Sequence, residues 1–95
     1  MREDARYAPA GHVVAKLVGE ELVLLDYEGE AYYGLDPIGA RIWELFGSGR
    51  TVGEIIETLL AEYDVTREAL ETDLGALVAD LEKNGLVKIV TGDAP

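Results

Sequence analysis

The sequence predicts an α+β fold in which a three-stranded antiparallel sheet is followed by a three-helix, winged-helix-like bundle. Up to Leu35, apolar residues alternate with a period of two between glycine-bearing turns; beyond it they recur every three to four residues. The two regimes meet in Glu30–Gly47, EAYYGLDPIGARIWELFG. Ala31, Tyr32 and Tyr33 suit a pleated strand. Asp36-Pro37 is a helix start, an N-cap acceptor followed by a residue whose missing N–H is not needed at the first helical position.

The elements follow in chain order. Residues 1–10 mix charge, Pro9 and small side chains without periodicity, so they are expected to form a flexible tail, as are residues 91–95, leaving 11–90 as the domain. His12 to Val18 reads as a first strand with Val13, Ala15 and Leu17 on one face and His12, Val14, Lys16 and Val18 on the other. Gly19-Glu20 fits a tight hairpin loop, and Glu21 to Tyr27 a second strand with Leu22 and Leu24 opposite Val23 and Leu25. Glu28-Gly29 makes the next turn, and Glu30 to Leu35 completes a meander. Ile38, Ile42, Leu45 and Phe46 give the first helix one apolar stripe, stopped by Gly47. After a GSGR loop, Thr51 and Glu54 have capping-box spacing. Val52, Ile55, Ile56, Leu59, Leu60 and Tyr63 form the apolar face of a second helix, which breaks at Asp64-Val65. Thr66 caps a third helix running to Asn84, with Gly85 as a left-handed cap. Leu70, Leu74, Leu77 and Leu81 centre its apolar face, and Ala69, Asp73, Ala76, Asp80 and Asn84 line one flank. Leu86 to Val90 is a short extended segment that packs under the helices.

Composition narrows the function. Ninety-five residues with 48% hydrophobic content make one domain. There is no cysteine, hence no disulfide or thiolate metal site, and no apolar run or N-terminal h-region marks a membrane or secretory segment, so the protein is expected in the cytoplasm. Nineteen acidic against eight basic side chains, a formal charge of −11, repel phosphate and favour a basic partner, or simply keep a small domain soluble. Nucleophilic catalysis needs a nucleophile and a positioned base, yet the chain has one serine, Ser48 in a loop, and one histidine, His12 at a strand end. No calcium loop, HExxH, Walker or dinucleotide motif occurs, so neither metal nor cofactor is implied and the chain is not expected to be an enzyme. A winged helix that reads nucleic acid would carry basic residues on its third helix; this one has only Arg67 and Lys83 among many acids.

A binding module remains. The third strand ends the meander, and an edge strand can capture an extended peptide through its unpaired N–H and C=O groups while neighbouring helices wall one side. The same edge could instead pair with a second copy in a structural dimer. Tyr32 and Tyr33 have a plainer role open to them, one packing in the core and the other covering the sheet. Asp73 and Asp80 could likewise be ordinary solvated carboxylates.

The run LLDYEGEAYYGLDPIGARIWELFGSGRTVGEIIETLLAEYDV, with Asp73, Leu74, Leu77, Leu81, Gly85 and Leu86 downstream, resembles the PqqD-like family, the precursor peptide recognition elements of ribosomally made, modified peptides. The resemblance covers about residues 12 to 90 in the patterns YxxLxxxGxxIWxLF, RTVxEI and DLxxLxxxLxxxGLV. It implies that a precursor's leader docks antiparallel on the third strand, against the third helix. The family's groove then falls on Glu28, Glu30, Ala31, Tyr32 and Tyr33 of the strand region and on Ala69, Asp73, Ala76, Leu77 and Asp80 of the helix. Gly34, Leu35, Gly39, Ile42 and Trp43 are read as scaffold. The implied partners are a leader peptide and a leader peptidase or radical-SAM enzyme; no nucleic acid or membrane is expected, and the chain is expected to be a monomer, with the edge-paired dimer as the alternative. The IW motif and the YYGLD junction favour the lasso-peptide type. Asp36 stands where many relatives have Asn, and either residue caps a helix.

Overall fold

Three strands form the antiparallel meander that the alternation predicts: β2 (Val13–Val18), β3 (Glu21–Asp26) and β4 (Ala31–Leu35), in the order β2-β3-β4. The structure, a computed structural model, describes residues 3–28 and 31–90. Val18 pairs with Glu21 across the Gly19-Glu20 turn, where Gly19 takes φ +64°, a conformation other residues rarely adopt. β3 stops at Asp26, one residue before the sequence pattern suggests, because the buried Asp26 carboxylate accepts the Glu28 N–H at 3.1 Å and turns the chain. Gly29 and Glu30, assigned by sequence to the turn and the start of the third strand, lie outside the described residues, as does the 91–95 tail.

Three helices follow, α1 (Pro37–Gly47), α2 (Val52–Glu62) and α3 (Arg67–Lys83); α1 packs on one face of this sheet against β3 and β4, and α2 packs on α1 and α3. Each start follows the side-chain chemistry read from the sequence. Asp36 accepts from the Gly39 N–H at 2.7 Å. Thr51 and Glu54 complete a reciprocal capping box at 3.1 and 2.8 Å. Thr66 accepts from the Ala69 N–H at 3.1 Å. Gly85, at φ +71°, ends α3: its N–H reaches Glu82 O at 3.0 Å and the Leu86 N–H reaches Leu81 O at 2.8 Å, a Schellman arrangement with Leu81 and Leu86 both buried. Gly47, by contrast, remains inside α1; the left-handed glycine of that loop is Gly49, at φ +81°.

Residues 3–10, the described part of the N-terminal segment, differ from the expectation of a flexible tail. Arg6–Pro9 is a strand, β1, paired antiparallel with β5 (Val87–Val90) in a second, two-stranded sheet. Ala5 and Tyr7 are buried in the core, and the Tyr7 ring lies 5.8 Å from that of Phe46. The same segment completes the start of α2, whose first two N–H groups, Val52 and Gly53, donate to Ala5 O and Glu3 O at 2.8 Å each. All four orphan donors of that helix end are therefore satisfied. Glycine at position 53 permits this close approach: a Cβ there would come within 3.3 Å of the Glu3 carbonyl, and the N-terminal segment would have to shift by a few tenths of an ångström to accept it. Arg67 fastens the segment from the side, holding Glu3, Glu57 and Glu71 at 3.0, 2.6 and 2.9 Å.

The core lies between β3, β4 and the helices, with Leu24, Phe46, Ile55, Ile56, Leu59, Leu74 and Leu81 fully enclosed. On α3 the buried stripe is Leu70, Leu74, Val78 and Leu81, so Val78 takes the place that the sequence pattern gave to Leu77, and the helix is rolled slightly about its axis. β2 lies beyond the helices' cover and is mostly exposed.

Because Tyr7 is 7% exposed, Tyr7→Ala should remove about 3 kcal/mol of stability in a urea melt, as large aromatic truncations in cores do. A residue in a detached tail would change it by less than about 0.5 kcal/mol.

Candidate functional site

The site is built on the far edge of β4. β4 pairs with β3 from Leu22 opposite Leu35 to Asp26 opposite Ala31, and its other edge has no strand partner among the described residues. The chain cannot add one directly, because Asp36 and Pro37 turn it into α1 immediately after Leu35. Along β4, Tyr33 and Leu35 face inward toward the helices, whereas Tyr32 and Gly34 face outward, with Tyr32 78% exposed.

α3 runs beside this edge. The roll that buries Val78 leaves Leu77 half-buried and turns Asp73, Leu77 and Asp80 toward the strand. The Tyr33 hydroxyl donates to Asp80 Oδ2 at 3.0 Å, a direct link between β4 and α3. Next to it lies an open cleft of about 350 Å³, lined by Tyr33, Gly34 and Leu35 of β4, by Asp36, Ile38, Gly39 and Ile42 around the start of α1, and by Asp73 and Leu77 of α3. The cleft has an apolar floor and carboxylates at its margins, and is large enough for one or two side chains. Burial first, then the hydrogen bond to Asp80 and its charge, then the charge of Asp36, push the Tyr33 phenol above its ordinary pKa.

The residues predicted for a peptide groove divide into three groups. Tyr33, Asp73, Leu77 and Asp80 come together around the cleft and its link. Ala31 and Tyr32 contribute edge backbone, and the Tyr32 side chain points to the opposite face of the sheet. Glu28, Ala69 and Ala76 are exposed but do not line the cleft, and Glu30 is outside the described residues. Sequence reading missed Asp36 and Ile38 as lining residues and gave Gly34, Leu35, Gly39 and Ile42 to the scaffold. Their spacing is what a buried helix stripe and a helix start require, so no pattern separates the two uses.

Other chemistry is sparse. Among the described residues no group of His, Cys, Asp and Glu could hold a metal ion, and His12 Nε2 stands 3.7 Å from Asp26. No described helix is long and apolar enough to cross a membrane. Arg67, one of the two cations on α3, is occupied by three carboxylates, and Arg41 by Glu62 and Glu44, so neither is offered to phosphate.

A sequence model of the family described as Coenzyme PQQ synthesis protein D (PqqD) matches residues 21–87. The chain belongs to the PqqD family. The match runs from β3 through α3 into β5 and so includes both walls of the cleft. Two solved structures resemble this PqqD-family chain over nearly their whole length. TbiB1, in complex with the TbiA(beta) leader peptide, is 34% identical with a TM-score of 0.78, over 93% of this chain and 99% of that one. A lasso peptide synthetase B1, complexed with the leader peptide, is 27% identical with a TM-score of 0.81, over 88% and 99%. Among curated protein sequences nothing matches the chain.

Removing the Tyr33 hydroxyl tests the link. Tyr33→Phe should cost about 0.5–1 kcal/mol at neutral pH, reduced by partial exposure. Because the phenol pKa is raised in the folded state, the contribution is fully present below the ordinary tyrosine value of 10.0 and is lost as pH rises past it. Urea melts of both proteins at pH 7 and above pH 10 should therefore converge at the higher pH.

Proposed function

We propose that the chain is a non-catalytic adaptor that binds the leader of a ribosomally made precursor peptide by strand addition to β4 and presents the precursor to a maturation enzyme. The observation that carries this reading is the unpaired edge of β4 beside the α3 cleft, which supplies backbone donors and acceptors next to an apolar pocket with acidic margins. The two leader-bound neighbours support it. In this reading the backbone of Ala31, Tyr32 and Tyr33 pairs with the guest, an apolar guest side chain enters the cleft against Leu77, and basic ones meet Asp73, Asp80 and Glu28. Ala69 and Ala76 let the guest chain pass close to α3.

The enzyme served is a lasso-peptide leader peptidase, a reading supported by the B1 neighbour that covers most of this chain. The family's description, coenzyme PQQ synthesis, supports a second reading in which the chain delivers a peptide to a radical-SAM enzyme. In both, a monomeric adaptor works in the cytoplasm, where precursors are translated.

Fluorescence anisotropy with a labelled synthetic TbiA(beta) leader, and with the leader of any precursor peptide encoded beside this chain's gene, tests the reading. Saturable binding by at least one is expected. Asp73→Lys should weaken it about tenfold, or ~1.4 kcal/mol, and flatten its salt dependence; Asp64→Lys, beyond the end of α2, should not. Absence of binding to either leader would reject the adaptor, and equal binding by Asp73→Lys would remove Asp73 from the site.

A further inference from the structure

The face of the three-stranded sheet turned away from the helices carries an exposed apolar row, with Lys16 and Glu21 toward its hairpin end. Strand register sets Val14, Leu25 and Tyr32 directly opposite one another across β2, β3 and β4. They are 46%, 37% and 78% exposed, and Val18, farther along β2 on the same face, is 57% exposed. The helices cover only the other face, where Leu24 and Leu35 are buried. Val14, Leu25 and Tyr32 thus make one contiguous exposed apolar row across three strands, and the principal apolar patch of a small protein is often an interaction site.

The surroundings of the row say which partner fits. Glu20 and Glu21 lie at its hairpin end and Glu28 at the other, all exposed, and Lys16 stands between Val14 and Val18. Four exposed apolar side chains are far fewer than the roughly 20–30 residues per side of a standard interface, so rim contacts must complete it and their sign matters. A second copy would bring the same carboxylates, on a chain of net charge −11, against themselves. A partner with Lys or Arg around an apolar centre would pair with them. The row also ends on β4, the strand with the open edge. A strand added there would set its outward side chains beside Tyr32 and extend the same face.

We infer that this outer face, centred on Val14, Leu25 and Tyr32, docks a folded protein whose contact patch is apolar with a basic rim, seated so that it touches adaptor and guest peptide together. The contact with the guest rests on the peptide-binding function proposed above; the docking of a partner on the face does not.

The experiment uses the full chain. A photo-crosslinking benzoylphenylalanine is placed at position 18, with a control at position 61 on α2, in cells that make the protein. The protein captured from position 18 is identified by mass spectrometry, produced in recombinant form and titrated against the wild type, against Val14→Lys/Val18→Lys and against Val14→Thr/Val18→Thr. Position 18 should capture a protein other than this chain. The lysine variant should bind that protein at least tenfold more weakly and the threonine variant more weakly than the wild type, while leader affinity stays within twofold. Thermal melts confirm that the variants fold, and the threonine pair carries the test if the lysines disturb the strand. The inference is overturned if position 18 captures only a second copy of this chain, if it captures nothing beyond the control, or if the recombinant partner binds the folded variants as tightly as the wild type. Failure of the leader to bind even the wild type would instead count against the proposed adaptor function.

Discussion

The turn at Asp36-Pro37 decides the shape of everything around the candidate site. Asp36 takes the Gly39 N–H and Pro37 occupies the first helical position, so the backbone leaves the sheet directly after Leu35. β4 is left as the border of the sheet, with a row of main-chain groups that no later strand covers among the described residues. α1 then swings across the inner face and places Ile42, Leu45 and Phe46 in the core. α3 returns beside the border strand, and its apolar stripe is placed so that Asp73, Leu77 and Asp80 remain at the margin. The cleft is the space between a strand that cannot continue and a helix whose buried face points slightly past it.

Electrostatics and topology point the same way. The described arginines of α1 and α3 are held by carboxylates, Arg41 by Glu62 and Glu44 and Arg67 by Glu3, Glu57 and Glu71. The field around the molecule is therefore set by its surplus acids. Such a field speeds the encounter with a basic, extended peptide more than it deepens the final affinity, which in the proposed function comes from backbone pairing and from the apolar floor of the cleft. The Tyr33–Asp80 bond already ties β4 to α3 beside the cleft, and in the proposed function a link made in advance leaves less ordering for the moment of binding.

Much of this was legible in the residues because it is local. The Thr51–Glu54 box, the Asp36 and Thr66 caps, the Gly19-Glu20 hairpin and the Gly85 terminus each depend on side chains within a few positions of one another, and the structure has them where the spacing placed them. β1 was not legible. Four residues ending in proline carry too little alternation to read, and the partners that make them a strand, such as Ile89 opposite Tyr7, lie at the other end of the chain. The choice between Leu77 and Val78 was equally hidden: adjacent apolar residues both fit the stripe, and only packing against the core decides which is buried. That choice also fixes which flank of α3 meets β4. Asp73, Leu77 and Asp80 could be named in advance, but their convergence on Tyr33 depends on the rotation of the helix. Ile38 and Ile42 could not be told from ordinary core, because a cleft floor and a core use the same residues.

In the proposed function the outward-pointing backbone of β4 is vacant until a guest strand takes it. Residue-resolved amide hydrogen exchange across Ala31–Leu35, with the leader absent and then saturating, measures this directly. In the free protein, the amides directed away from β3 should exchange rapidly, and leader should slow them at least tenfold while those bonded to β3 change little. Outward amides already protected in the free protein, or left unprotected when the leader is bound, would contradict the account.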